Sequence, residues 1–220
     1  MMNFLVVIED NRGSVHRMSK EAIAGAQKLG GNITALVLGT NAESLAQELS
    51  SVEINKTLIV NHDMVSSYNS DGYTEVVTKV IQSIDADVII AGHSYQTRDF
   101  MPRVSARLDI PFIPDVTMVD GDNYIKQVLN AKLNCTISST SEKKILSFQS
   151  ASFSEEDIQN GSSNSQTIDI DLNHSTVRST SEEPFQESAS EVDLESADLI
   201  VSVGRGIEKE ENTSIAFDLA

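Results

Sequence analysis

The strongest chemical signal in the sequence is the tripeptide Gly204-Arg205-Gly206. Residues 198–203 are mostly apolar and predict a buried strand, and the polar residues after the tripeptide predict a helix. Backbone amides in a glycine turn between a strand and a helix approach a phosphate closely, and the helix adds the positive end of its dipole. A guanidinium binds pyrophosphate through two parallel hydrogen bonds. The tripeptide therefore predicts a contact to the pyrophosphate of a nucleotide.

Polar residues also follow each predicted strand in the first hundred positions. They are Glu9-Asp10, Gly39-Thr40, Asn61-His62-Asp63 and Gly92-His93-Ser94. Ligands of open parallel sheets bind at the carboxyl ends of strands, so these residues are either a small-molecule site or ordinary solvated loops. The first 150 residues contain no GxGxxG and no GxxxxGK. We therefore expect no phosphate-binding loop there.

The histidines predict neither hydrolysis nor metal binding. His93 and Ser94 are adjacent on an extended backbone, so their side chains point in opposite directions, and no GxSxG elbow presents a nucleophile. The four histidines show neither HxH nor HExxH spacing. We expect no catalytic residue and no metal ligand.

Three arginines, Arg98, Arg103 and Arg107, form a basic stripe on an acidic protein. Asp99 precedes Arg103 by four positions, a spacing that stabilises the surface of a helix. The alternative is an interface with an acidic surface of another chain, where arginine is enriched. The sequence leaves both interpretations open.

Composition excludes several classes of protein. A formal net charge of -17 in 220 residues opposes binding to a nucleic acid. The single Cys135 has no partner for an internal disulfide or for a CxxC zinc site. No apolar run reaches the roughly eighteen residues of a membrane span. The apolar run at residues 4–8 is too short for a signal peptide, and acidic residues follow it directly. We expect a protein of a bacterial-type cytoplasm, without membrane insertion.

Hydrophobic periodicity predicts the elements that position these residues. Apolar runs predict strands at 4–8, 33–38, 58–60 and 88–91. Helical spacing predicts a helix after each of them, with Pro102 as the first residue of the fourth. Parallel strands need crossover helices, so the alternation predicts a three-layer αβα fold with a mainly parallel sheet.

The pattern of apolar residues and turn signals changes after Pro111. Turn signals between short apolar runs predict mixed or antiparallel strands over 112–150 that extend the sheet. Residues 154–166 predict a loop, and strands follow at 167–172 and 175–181. The acidic, serine-rich segment 181–195 predicts a domain boundary, with a first domain at 1–190 and an incomplete start of a second α/β domain at 191–220.

Two segments resemble the electron transfer flavoprotein alpha subunit. The sequence FMPRVSARLDIP at 100–111 is similar to the family's LPRVAALLDVP segment. The sequence ADLIVSVGRGI at 197–207 is similar to the segment A-IVVSGGRGL that opens the family's FAD domain. The two segments come in the family's order, and the resemblance spans essentially the whole chain.

The resemblance implies an electron carrier rather than an enzyme. It implies FAD as the cofactor of a complete member, with Arg205 at the pyrophosphate and Gly204 and Gly206 beside it. It also implies a beta subunit as partner, and electron flow from acyl-CoA-type dehydrogenases to a quinone reductase. Val203 departs from the family, which has a glycine there, and most of the FAD domain has no counterpart in these residues.

We therefore expect this chain alone to hold no FAD. One exposed charge-assisted contact contributes about 1.5–3 kcal/mol, whereas micromolar binding needs about 8 kcal/mol.

Two alternatives follow from the same residues. The first is a cofactor-free assembly module that pairs with a beta-type subunit through Arg103, Arg107 and edge strands near 168 and 176. The second is a nucleotide-binding protein of the universal-stress type, against which the missing glycine-rich loop argues.

Overall fold

A computed structural model describes residues 1–182 and 199–220. The chain divides into two compact units, Met1–Ser181 and Glu182–Ala220. The predicted domain boundary at 190/191 lies outside the described residues, so the division into domains 1–190 and 191–220 stays a prediction.

Strands and helices alternate through the first hundred residues, as predicted. The elements are β1 (Asn3–Val7), β2 (Asp10–Asn11), β3 (Ser14–Val15), α1 (Arg17–Leu29), β4 (Asn32–Leu38), α2 (Ala42–Glu48), β5 (Lys56–Val60), α3 (Ser70–Ser83), β6 (Val88–Gly92) and α4 (Tyr95–Leu108). The strands β2 and β3 pair with each other as a short hairpin outside the main sheet. Each crossover helix returns the chain to the same end of the sheet, which makes the neighbouring strands parallel.

The second part of the first unit consists mainly of strands. They are β7 (Phe112–Asp120), β8 (Asn123–Val128), β9 (Leu133–Ser138), β10 (Lys144–Phe148) and β11 (Asn164–Thr167). The sheet has the order β11-β5-β4-β1-β6-β10-β7-β8-β9. Strands β7, β8 and β9 form an antiparallel meander, while the pairs from β11 to β7 are parallel. The prediction of a mainly parallel αβα fold extended by antiparallel strands is confirmed.

Apolar side chains fill both faces of the parallel sheet. On one face Phe4 and Val6 pack with Ile23 of α1. On the other face Leu5 and Ile89 pack with Val77 of α3. Successive side chains of a strand point to opposite faces, so a strand covered on both sides is apolar without alternation. This is why the four buried strands were visible in the sequence.

Three local predictions were wrong. Pro102 lies inside α4 rather than at its first position, because Ser94 caps the helix eight residues earlier. The strand expected at 167–172 is β11 at Asn164–Thr167, which pairs with β5 inside the expected loop. Residues 175–181 form no strand.

The segment 168–177 contributes to the core even though it forms no strand. Ile168 and Ile170 pack against the helical face formed by α3 and α4, and Leu172 and Val177 are buried in the same cluster. A strand was predicted there because apolar and acidic residues alternate. The apolar residues of that alternation instead pack with the core cluster that includes residues of α3 and α4.

The second unit differs from its prediction as well. Residues 199–203 form no strand, and position 198 lies outside the described residues. Two short 3-10 turns lead to α5 (Ser214–Leu219), which confirms helix only for the last part of the predicted segment. A strand requires a neighbour for its backbone groups, and residues 199–220 supply none. The α/β character of this unit stays a prediction.

Candidate functional site

The sheet brings the polar residues after β1, β4, β5 and β6 to one edge, as the sequence predicted. The carboxylate of Asp10 accepts hydrogen bonds from the Asn41 side-chain amide at 2.7 Å and from the Gly13 backbone amide at 2.7 Å. The backbone amide of Glu9 donates to Ser19 Oγ at 2.9 Å. These contacts join the loop after β1 to its neighbours.

The next two loops are stabilised in the same way. Thr40 Oγ1 donates to the carbonyl of Ser66 at 3.0 Å, and His62 Nδ1 accepts from the amide of Met64 at 3.1 Å. The polar groups at this edge therefore hold the loops in place, which supports the interpretation as loop polarity over that of a small-molecule site.

His93 takes part in a partly buried cluster that sequence reasoning missed. Its Nδ1 lies 2.8 Å from Ser147 Oγ, and its Nε2 lies 3.9 Å from Asp115 Oδ1. Burial is the main cause that lowers the pKa of His93, and Arg98 and Lys126 lower it further, while Asp115 opposes them. His93 thus bonds to a serine 54 positions away in the sequence rather than to Ser94.

This cluster lacks the geometry of a hydrolase. Ser147 is fully buried, so its hydroxyl cannot meet a substrate. Ser94 caps α4, where its Oγ accepts from the amide of Thr97 at 3.1 Å. Within 1–182 and 199–220 no group of three His, Cys, Asp or Glu residues could hold a metal ion.

Two arginines of the basic stripe form ion pairs with acidic side chains of the same chain. Arg103 contacts Asp71 at 3.3 Å and Asp99 at 3.5 Å, and Arg107 contacts Glu75 at 2.7 Å. The pairs with Asp71 and Glu75 join α4 to α3, and the pair with Asp99 lies within α4, so they support helix stabilisation rather than a docking surface. Asp71 was not anticipated, because only the packing of α3 on α4 brings it to the stripe.

The tripeptide at 204–206 is exposed. Gly204 has φ of −103°, and neither glycine of the tripeptide lies in the left-handed region. No atom lies within 4 Å of a Cβ built on either glycine, so the space around the turn is open to a ligand. The backbone conformation here would suit other residues as well. The two glycines differ from them in leaving the space beside the backbone open.

FAD fits these residues only at its pyrophosphate. Arg205 can supply the guanidinium, but none of the residues 199–220 is buried, so this segment encloses neither the flavin ring nor the adenine. A dinucleotide site needs walls that exclude water from most of the ligand. Residues 199–220 by themselves therefore do not enclose a dinucleotide.

A cleft lies elsewhere, near the amino ends of β4 and β5. It has a volume of about 720 Å³ and is lined largely by amide side chains. Gln27 donates to the carbonyl of Glu53 at 3.0 Å and accepts from the amide of Gln159 at 2.9 Å. These contacts attach the residues before β5 and the loop before β11 to α1.

Comparison with known proteins assigns the family. A family model described as the electron transfer flavoprotein domain matches residues 4–172. The chain belongs to the electron transfer flavoprotein family.

Similar proteins are named as alpha subunits. The electron transfer flavoprotein subunit alpha of Bacillus subtilis is 27% identical over 223 residues, and that of Thermoanaerobacterium thermosaccharolyticum is 26% identical over 226. Each alignment covers 98% of this chain and 68% of the relative. A probable mitochondrial alpha subunit of Caenorhabditis elegans is 29% identical, with 65% of its length covered. The resemblance to the alpha subunit is confirmed, and the chain spans about two thirds of the relatives' length.

The described part of this electron transfer flavoprotein family member contains no helix that is long and apolar enough to cross a membrane.

Proposed function

We propose that this chain serves in an electron transfer flavoprotein as the part of the alpha subunit that supports a beta-type subunit and the flavin domain. The observation that carries the proposal is the family match over residues 4–172, which coincides with the αβα unit at Met1–Ser181.

The cofactor of the complex is FAD, and these 220 residues alone do not retain it. Arg205 provides one exposed contact to the pyrophosphate, with Gly204 and Gly206 leaving room for the phosphates. When bound, FAD supplies the redox chemistry of the complex, and the protein sets its position. The αβα unit provides a rigid support rather than a redox group.

The partners of the complex follow from the same proposal. A beta-type subunit binds this chain, acyl-CoA-type dehydrogenases donate electrons, and a quinone reductase accepts them. A cytoplasmic location completes the proposal. The net charge of -17 supports partners that are proteins rather than nucleic acids.

The cofactor proposal is tested with two samples. The first is this chain dialysed against excess FAD, and the second is a longer alpha chain purified with the beta subunit encoded in the same organism. The isolated chain is expected to lose the flavin absorbance on gel filtration. A longer alpha chain that continues past Ala220, purified with the beta subunit, is expected to retain it, with Arg205→Ala weakening retention. A colourless complex of the longer chain would contradict the proposal.

A further inference from the structure

One face of the antiparallel meander β7-β8-β9 begins in the hydrophobic core. Residues paired across antiparallel strands point to the same face, and so do residues two positions apart on one strand. Tyr124 of β8 is buried in the core cluster, and its partners Val119 of β7 and Ile137 of β9 pack against that cluster. This face of the meander therefore continues the sheet face on which α1 packs.

The same face leaves the core toward the turn between β8 and β9. Strand β9 places Ile137, Cys135 and Leu133 on it, and Val128 of β8 lies opposite Leu133. Ile137 and Cys135 are partly buried, whereas Leu133 is 57% exposed. Among the described residues no helix lies across β8 or β9, and β9 is the last strand of the sheet. We call Val128, Leu133, Cys135 and Ile137 the apolar strip.

The opposite face of the same strands is more polar. Gln127, Asn134 and Thr136 lie on it and are exposed, together with the apolar pair Met118 and Ile125. Polar side chains on that face keep hydrogen bonds to water, whereas the side chains of the apolar strip gain free energy when another surface removes them from water. The strip is therefore the face of the meander that favours a partner.

A buried lysine lies beside the core end of the apolar strip. Lys144 of β10 is only 8% exposed, and its Nζ lies 5.8 Å from the centre of the Tyr124 ring. Among the described residues its ammonium has neither a hydrogen bond nor a carboxylate within 4 Å. Thr78 Oγ1 is the one fully enclosed side-chain atom without a hydrogen bond in that part of the chain, so the Lys144 ammonium still reaches the surface. An aromatic ring replaces only part of the hydration that this cation has lost.

We propose that the apolar strip and Lys144 are the surface to which a beta-type subunit binds, with apolar side chains against the strip and a carboxylate on the Lys144 ammonium. This inference rests on the proposed function and assigns the binding face within it. Local charge favours a carboxylate there, because Lys126 lies on the same face opposite Cys135, and Lys132 lies in the turn at its outer end. A second copy of this chain is disfavoured, because each copy carries a net charge of -17.

Isothermal titration of this chain with the beta subunit encoded in the same organism tests the face. Leu133→Asp places a carboxylate on the apolar strip at an exposed position, which the free chain tolerates but the complex must bury. We expect the Kd to rise about tenfold or more. Asn134→Asp is the matched control, because Asn134 is the exposed neighbour that points to the opposite face. Its Kd should stay within about threefold of that of the unmodified chain.

The second pair of variants tests the carboxylate. Lys144→Met keeps the apolar stem and removes the charge, so the partner's carboxylate is left without its ammonium. We expect a Kd about tenfold higher, the effect of losing a hydrogen bond to a charged group, and a Kd that changes less with salt. Lys143→Met is the matched control, because Lys143 is 40% exposed and pairs with Asp85 at 3.7 Å within the chain.

The outcomes separate this inference from the proposed function. If the unmodified chain does not bind the beta subunit, the proposed function fails and the inference fails with it. If the unmodified chain binds and Leu133→Asp binds as tightly, the proposed function stands and the face is overturned. A homodimer that Leu133→Asp dissociates, with binding to the beta subunit unchanged, assigns the strip to a second copy and also overturns the inference. Circular dichroism checks the fold of each variant, and if Lys144→Met does not fold, the comparison of Leu133→Asp with Asn134→Asp decides.

Discussion

Gly92 ends β6 at the point where α1 crosses the sheet, so Gly92→Ala tests how tightly the carboxyl edge is built. A Cβ at this position lies 2.5 Å from Met18 Cβ and 2.9 Å from the Met18 carbonyl oxygen. Carbon atoms in contact are normally about 3.5–4.0 Å apart, so α1 must retreat by about 1 Å. The obstacle is partly the Met18 backbone, which a rotamer change cannot move.

The cost of Gly92→Ala follows from what α1 buries. Ala22, Ile23 and Ala26 are fully buried against the sheet, and their burial contributes about 4 kcal/mol. A gap of 1 Å forfeits a quarter to a half of the contact energy, about 1–2 kcal/mol. The retreat also stretches the bond from Glu9 to Ser19 Oγ, worth about 1 kcal/mol. We expect the free energy of unfolding to fall by about 2–3 kcal/mol.

Urea unfolding followed by circular dichroism measures this change. Gly204→Ala is the matched control, because its Cβ meets no atom within 4 Å and its φ of −103° suits alanine. The control should stay within about 0.5 kcal/mol of the unmodified chain. If Gly92→Ala is as stable as Gly204→Ala, the close approach of α1 to β6 is not as described.

Three further predictions concern α3, α4 and the histidine cluster. Thr78→Val should raise the free energy of unfolding by about 1 kcal/mol, because Thr78 Oγ1 is buried without a hydrogen-bond partner among the described residues; thermal unfolding measures it, and a loss of stability would contradict it. A double-mutant cycle of Arg107→Ala and Glu75→Ala should give a coupling of about 0.5 kcal/mol, because the Arg107 side chain is 41% exposed; a coupling of zero would show that the pair does not persist in solution. The free energy of unfolding should decrease as the pH falls below about 6.5, where the unfolded chain protonates His93 while the folded chain, with its lowered pKa, does not. His93→Gln should flatten that slope in urea titrations, and an unaltered slope would contradict the assignment.

The αβα architecture could be predicted from local patterns because each buried strand is covered on both faces. Residues 35–38 and 88–91 are apolar without interruption, and the helices between the strands carry apolar residues at helical spacing. The turn signal at Asp120-Gly121-Asp122 likewise separates β7 from β8, as predicted.

The predictions that were wrong concern features that depend on contacts between residues distant in the sequence. Strand β11 is polar and exposed, and only its backbone pairing with β5 makes it a strand. We predicted Pro102 at a helix start because proline prefers that position. Helix α4 instead continues through Pro102, because burial of Phe100, Met101 and Val104 stabilises the helix on both sides of it. Residues 199–203 have a strand's composition, but residues 199–220 offer no strand beside them.

The site was predictable only in part for the same reason. The carboxyl-edge residues could be located from strand ends, but their partners could not. Ser147 meets His93 because β10 inserts beside β6, a choice of neighbours that no periodicity records. Asp115 joins them through a left-handed kink, and its only signal in the sequence is that aspartate adopts this conformation more readily than most residues.

The central claim, that this chain is an alpha-type subunit built to support a beta-type subunit, is tested most directly by the mass of the complex. The purified chain is mixed with the beta subunit of the same organism and passed through gel filtration with light scattering. The account predicts one species with the mass of a 1:1 heterodimer. Two separate peaks, each with the mass of a free chain at micromolar concentration, would contradict it.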